Sequence, residues 1–115
     1  MASKISTANL ELGRPTVETA LHCLSFEVRH ARSVGCTVLK LIHGYGSSGT
    51  GGKIRVGVRK RLAEMAAKGQ VKAVIPGEDF SIFDENTRRA LLACDELRRD
   101  SDLERRNQGI TVVLL

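Results

Sequence analysis

The stretch that most constrains this chain is VLKLIHGYGSSGTGGKIRVGVRKR, residues 38–61. It opens on an apolar run, Val38–Ile42, whose aliphatic and β-branched residues suit a buried strand. Nine residues follow His43, of which Gly44, Gly46, Gly49, Gly51 and Gly52 are glycine and Tyr45, Ser47, Ser48 and Thr50 carry hydroxyls. A helix with a basic face comes next, bearing Lys53, Arg55, Arg59, Lys60 and Arg61. Strand, glycine loop and helix N-terminus together make a seat for an anion: glycines let backbone N–H groups converge, hydroxyls add donors, and the first helical turn offers free N–H groups with a partial positive charge. His43 stands at the strand end, facing whatever the loop holds.

Charge points the same way. The net charge is +5, and six cations against one acid (Glu64) between Lys53 and Lys68 account for all of it. Such a concentration beside a glycine loop favours a polyanionic partner, nucleic acid first. Aromatic residues are three Phe, one Tyr and no Trp, too few for a stacking platform to dominate recognition. At 115 residues one domain is expected, without a membrane span or a signal-peptide core, and a cytoplasmic setting follows. The three cysteines show no CxxC spacing; Cys23 and Cys94, inside helical patterns, read as small buried thiols. No metal or cofactor is called for.

Along the chain, residues 1–8 are polar and expected to be flexible, and residues 9–12 form a short strand candidate. Thr16 caps a helix whose apolar positions, Val17, Ala20, Leu21, Leu24, Val28 and Ala31, keep helical spacing until Gly35; His22 and His30 lie off that stripe, at the surface. After the strand at 37–42 and the loop, Ile54, Val58, Leu62 and Met65 mark the inner side of the basic helix. Residues 71–75 give a third strand, and Phe80, Ile82 and Phe83 a short apolar segment. Asp84 caps a helix of about twenty residues; its seven acids and six arginines, from Asp84 to Arg106, read as a solvated face with intrahelical pairs. Residues 110–115 are a last strand. The order β-α-β-α-β-(α)-β implies an α/β fold, a compact two-layer sandwich on a mixed four-stranded sheet that the last strand closes.

Named phosphate loops fit the glycine stretch poorly. A P-loop needs GxxxxGK[ST], but Ser47 stands where its first glycine belongs and Ile54 follows Lys53. Gly44–Gly49 satisfies GxGxxG, yet the acid that should follow about twenty residues on is Glu64, in mid-helix. A nucleotide or dinucleotide pocket therefore stands as the alternative. A phosphodiester backbone uses what is present: glycine amides as donors, a basic approach surface, and His43 as a proton carrier.

At these residues the chain resembles the Smr (small MutS-related) domain family. His43-Gly44-Tyr45-Gly46 matches its HGxG motif after Leu41-Ile42, residues 16–21 resemble the start of its first helix, and residues 109–114 its final strand. The resemblance implies a compact α/β sheet similar to the C-terminal domain of the third bacterial translation initiation factor. It further implies nucleic-acid binding, to RNA or DNA, and in several members endonucleolytic cleavage or nicking. The family's LDLH motif falls on Leu10-Glu11-Leu12-Gly13, so its aspartate becomes Glu11 and its histidine Gly13. The expected site is then His43 with Glu11 for any chemistry, and Gly44, Tyr45, Gly46, Ser47, Ser48, Thr50, Gly52, Lys53, Arg55, Arg59 and Lys60 for the phosphates. Residues 9–115 form the single domain, with 84–106 a helical insertion before the last strand. A non-catalytic protein-contact domain, with 84–106 as its surface, is the third reading.

Overall fold

In the computed structural model, residues 4–13, 15–45 and 50–115 are described, residues 50 and 51 by their backbone alone. Four strands, β1 (Ile5–Asn9), β2 (Val38–Ile42), β3 (Ala73–Pro76) and β4 (Ile110–Leu114), form one sheet in the order β1-β2-β4-β3. Three helices accompany them: α1 (Val17–Ser33), α2 (Thr50–Ala67) and α3 (Glu85–Ala93), with 3-10 turns at Gly77–Asp79 and Asp95–Arg99. β1 pairs parallel with β2, while β4 runs antiparallel to both β2 and β3. The mixed four-stranded α/β sheet expected from the sequence is therefore present. Its last strand does not close an edge, however; it is threaded through the middle.

Alternation along the strands explains how the sheet is covered. Leu39, Leu41 and Val113 face one side, where they meet Ala20, Leu24 and Val28 of α1 and Ile54, Val58 and Leu62 of α2. Val38, Val112 and Leu114 face the other, against Phe80, Ala90, Leu91, Cys94 and Leu97. Both faces of the central strands are buried, which requires apolar residues at nearly every position rather than at every second one. The two-layer sandwich is thus corrected to a sheet with helical cover on both sides, and residues 80–97 build the second core.

Local chemistry sets the element ends. Thr16 accepts a hydrogen bond from the Thr19 amide at 3.1 Å and Asp84 from the Thr87 amide at 2.8 Å, each satisfying a free N–H of the first turn. The first strand lies at Ile5–Asn9, mostly within residues 1–8 expected to be flexible, and residues 10–13, which take in most of the strand expected at 9–12, form a turn. The long helix expected from Asp84 stops at Ala93, because Cys94 takes an extended conformation (φ −147°, ψ 97°) and the 3-10 turn after it returns Leu97 to the core. The charges of this segment serve tertiary contacts. Asp100 and Asp102 hold the Lys40 ammonium, which β2 carries into the second face, and Glu104 accepts from the Ile82 amide at 2.6 Å. Arg98 with Asp95 is an exposed i,i+3 pair. Cys36 and Cys94 are buried, whereas Cys23, expected inside, is exposed on α1. No described helix is long and apolar enough to cross a membrane.

Candidate functional site

The directions of the strands decide what meets at the loop. The C-terminal ends of β1, β2 and β3 and the start of β4 lie along one edge of the sheet, and α2 begins there. Residues from five separate stretches, Glu11, His43–Tyr45, Arg55 and Arg59, Glu78, and Gln108–Thr111, are thereby brought together.

His43 is the centre of this end, and it points inward. Continuing the alternation of Leu39 and Leu41 puts its ring on the face covered by α1 and α2, where it is 0% exposed. Nδ1 lies 3.0 Å from the Gly44 carbonyl oxygen and Nε2 2.8 Å from Thr111 Oγ1. A carbonyl only accepts, so Nδ1 carries the proton, and Nε2 accepts from the Thr111 hydroxyl. That hydroxyl in turn accepts from Arg59 Nε at 3.3 Å. The result is a directed chain: Arg59 to Thr111 to His43 to Gly44. Burial pushes the His43 pKa below the ordinary histidine value; the Gly44 hydrogen bond works against this, while the Arg59 and Arg55 charges add to it.

Arg59, expected to grip phosphate, is committed elsewhere. Its guanidinium makes a two-pronged pair with Glu78, at 2.9 and 2.7 Å, and donates to the carbonyls of Gln108 (3.3 Å) and Ile110 (3.2 Å). Burial raises the Glu78 pKa, but the Arg59 hydrogen bonds outweigh it and the net shift is downward. Thr111, Glu78 and Gln108 are thus site residues that the motif does not mark. One signal for Thr111 was available: it is the single hydroxyl in the apolar run 110–115.

The Gly44 backbone has φ +81°, and a Cβ there would run into the Glu11 carboxylate. Glu11 and the strand end are therefore in contact. The His43 and Gly44 amides both donate to the Gly109 carbonyl at 3.0 Å, so these two N–H groups hold β4 and are not turned to a ligand. Tyr45 is 58% exposed, with the Arg55 guanidinium 5.4 Å from its ring centroid and Arg55 also donating to Gln108 Oε1 at 3.1 Å. Lys53 and Lys60 are exposed and, among the described residues, without an ion-pair partner. Gly52 is half-buried at the start of α2. Gly46, Ser47 and Ser48 lie outside the described residues, as does the side chain of Thr50. Glu64, which a dinucleotide site would need beside the loop, is exposed near the far end of α2.

Among the described residues no group of three or more His, Cys, Asp or Glu side chains is arranged to hold a metal ion. Comparison with protein-family models, with curated proteins and with solved structures found no significant match to this chain.

Proposed function

We propose that this chain is a nucleic-acid-binding domain that holds phosphates at the edge of the sheet where α2 begins. The observation that carries the reading is a pair of exposed cations on α2 without an ion-pair partner among the described residues: Lys53 in the first turn, at the open Tyr45–Arg55 stack, and Lys60 about two turns further along the same face. Lysines in water are weak partners for one another's neighbours but strong partners for a polyanion, because each phosphate they neutralise releases condensed counterions. The start of α2 adds the positive end of a helix dipole. Tyr45 and Arg55 offer one flat surface to a base without forming a platform.

The geometry favours binding over cleavage. General acid–base work on a phosphodiester needs a proton carrier within reach of the scissile bond. His43 is enclosed, with one nitrogen on a carbonyl and the other covered by Thr111. In this reading His43 and Gly44 shape the loop's base, and membership of the Smr family would be as a binding member.

Anisotropy titrations of labelled single-stranded RNA and DNA at two salt concentrations test this, with the same samples run on a denaturing gel. Affinity is expected to fall steeply with salt. Lys53→Ser/Lys60→Ser should weaken binding and lower the log–log salt slope by about 1.4, at roughly 0.7 per contact for a single strand. Binding to neither nucleic acid, or binding indifferent to salt, would overturn the reading. Strand scission by the wild type would move it from binding to catalysis.

A further inference from the structure

At the opposite end of the sheet a second basic feature stands apart from the loop. α1 and α2 touch where Gly57 lets Val17 approach, a Cβ on Gly57 lying 3.1 Å from Val17 Cγ1. Between their C-terminal halves they leave an open groove of about 550 Å³. Its walls carry Arg29 and Arg32 from α1 and Arg61 and Lys68 from α2 and the residue after it, with Glu64 the one acid and Gln70 at the lower rim. Val28 and Met65 lie at its base, against the first core. All four cations are exposed, and among the described residues none makes a side-chain hydrogen bond or ion pair.

We infer that this groove is a binding site for a chain of phosphates, separate from the loop and not dependent on it. Four cations facing one another across a cleft repel, and a single carboxylate does not balance them. Favourable contact with helix dipoles accounts for Arg32 and Lys68 at the helix ends, but Arg29 and Arg61 lie outside the last turns, where that effect has faded. Arg61 and Lys68 are seven residues apart, a rise of about 10 Å along α2, which suits consecutive phosphates better than one small anion. Arginine forks on both walls match phosphate oxygens two at a time. The same chemistry is offered by a nucleic-acid backbone and by a free polyphosphate.

The test is a ¹⁵N NMR titration of the full chain, following backbone amides and arginine Nε–H groups, with sodium tripolyphosphate in one arm and a single-stranded oligonucleotide in the other. Tripolyphosphate is expected to shift signals of residues 25–32 and 61–70, and Arg29→Gln/Arg61→Gln to weaken that binding about tenfold or more. Lys53→Ser/Lys60→Ser should leave it unchanged. An oligonucleotide that shifts the same signals and is displaced by tripolyphosphate identifies the nucleic-acid backbone as occupant; tripolyphosphate acting alone identifies a free polyphosphate. No shift in the groove, shifts confined to residues 50–60, or undiminished affinity in Arg29→Gln/Arg61→Gln overturns the inference. Oligonucleotide binding at 50–60 with a silent groove leaves the proposed function standing without it, and tripolyphosphate in the groove with no nucleic acid bound anywhere does the reverse. Arg32→Gln/Lys68→Gln repeats the test if the first variant fails to fold.

Discussion

His43 illustrates how a residue's chemistry is decided by the direction of its side chain. Neutral in its pocket, it resists protonation in the folded state more than in the unfolded chain. Between the folded value and the ordinary value near 6.5, the unfolded chain therefore binds more protons, and stability rises with pH there. The denaturant midpoint is expected to fall as pH drops below about 6.5, and the slope to flatten in His43→Gln; an unchanged slope in that variant would assign the effect to other groups. Thr111→Val keeps the shape but removes both the donor to His43 Nε2 and the acceptor for Arg59. Leaving that buried nitrogen unpaired should cost about 1–3 kcal/mol, measured by the same denaturation. From the sequence the ring is expected to face the loop's occupant; the alternation with Leu39 and Leu41, which turns it inward instead, is a signal that expectation passes over. The ring's partners were not legible, because Thr111 lies 68 residues away and the contact depends on β4 entering beside β2.

Among the elements, strong periodicity was legible and weak periodicity was not. The i, i+3, i+4 stripe of α1 and the aliphatic run of β2 gave both elements nearly in place. β1 is an edge strand of small and polar residues, ISTAN, so nothing in its pattern separates it from a loop; the more apolar 10–12 next to it attracts the assignment instead. The segment after Asp84 reads as one long helix with intrahelical pairs, whereas α3 ends at Ala93 and two acids beyond it, Asp100 and Asp102, serve Lys40. Burial acts to lower the Lys40 pKa, but the hydrogen bonds it donates to Asp102 and Asp100 outweigh it and the net shift is upward. The Lys40 contribution is thus present below about 10.5 and lost as pH rises through the folded value. Lys40→Met strands two carboxylates near the second core and is expected to cost about 3 kcal/mol. Lys40→Met with Asp100→Asn and Asp102→Asn should recover much of that loss; if the triple variant is no more stable than Lys40→Met, the charges were not what the lysine held.

For the molecule as a whole, the position of β4 dominates. Order along the chain suggests a last strand added at an edge, and no local pattern says otherwise. Its composition does carry a hint, since Ile110–Leu114 is buried at every position, as only an interior strand can be. β4 pairs with β2 on one side and β3 on the other, and it feeds Val113 to one core and Ile110, Val112 and Leu114 to the second. It also brings the Gly109 carbonyl to the His43 and Gly44 amides and the Thr111 hydroxyl to His43 and Arg59, so the site edge exists only once β4 is in place. Without β4 the remaining strands fall into a β1–β2 pair and an unpaired β3, neither of which buries a core. A chain ending at Gly109 is therefore expected to lose cooperative unfolding and the dispersion of its amide spectrum, rather than to form a smaller version of the same fold. In the intact chain, amides of β4 and β2 should exchange through global unfolding, with β1 and β3 opening more readily at the edges. A truncated chain that still unfolded cooperatively would show that the two halves of the sheet are stable apart and that β4 joins them without making them.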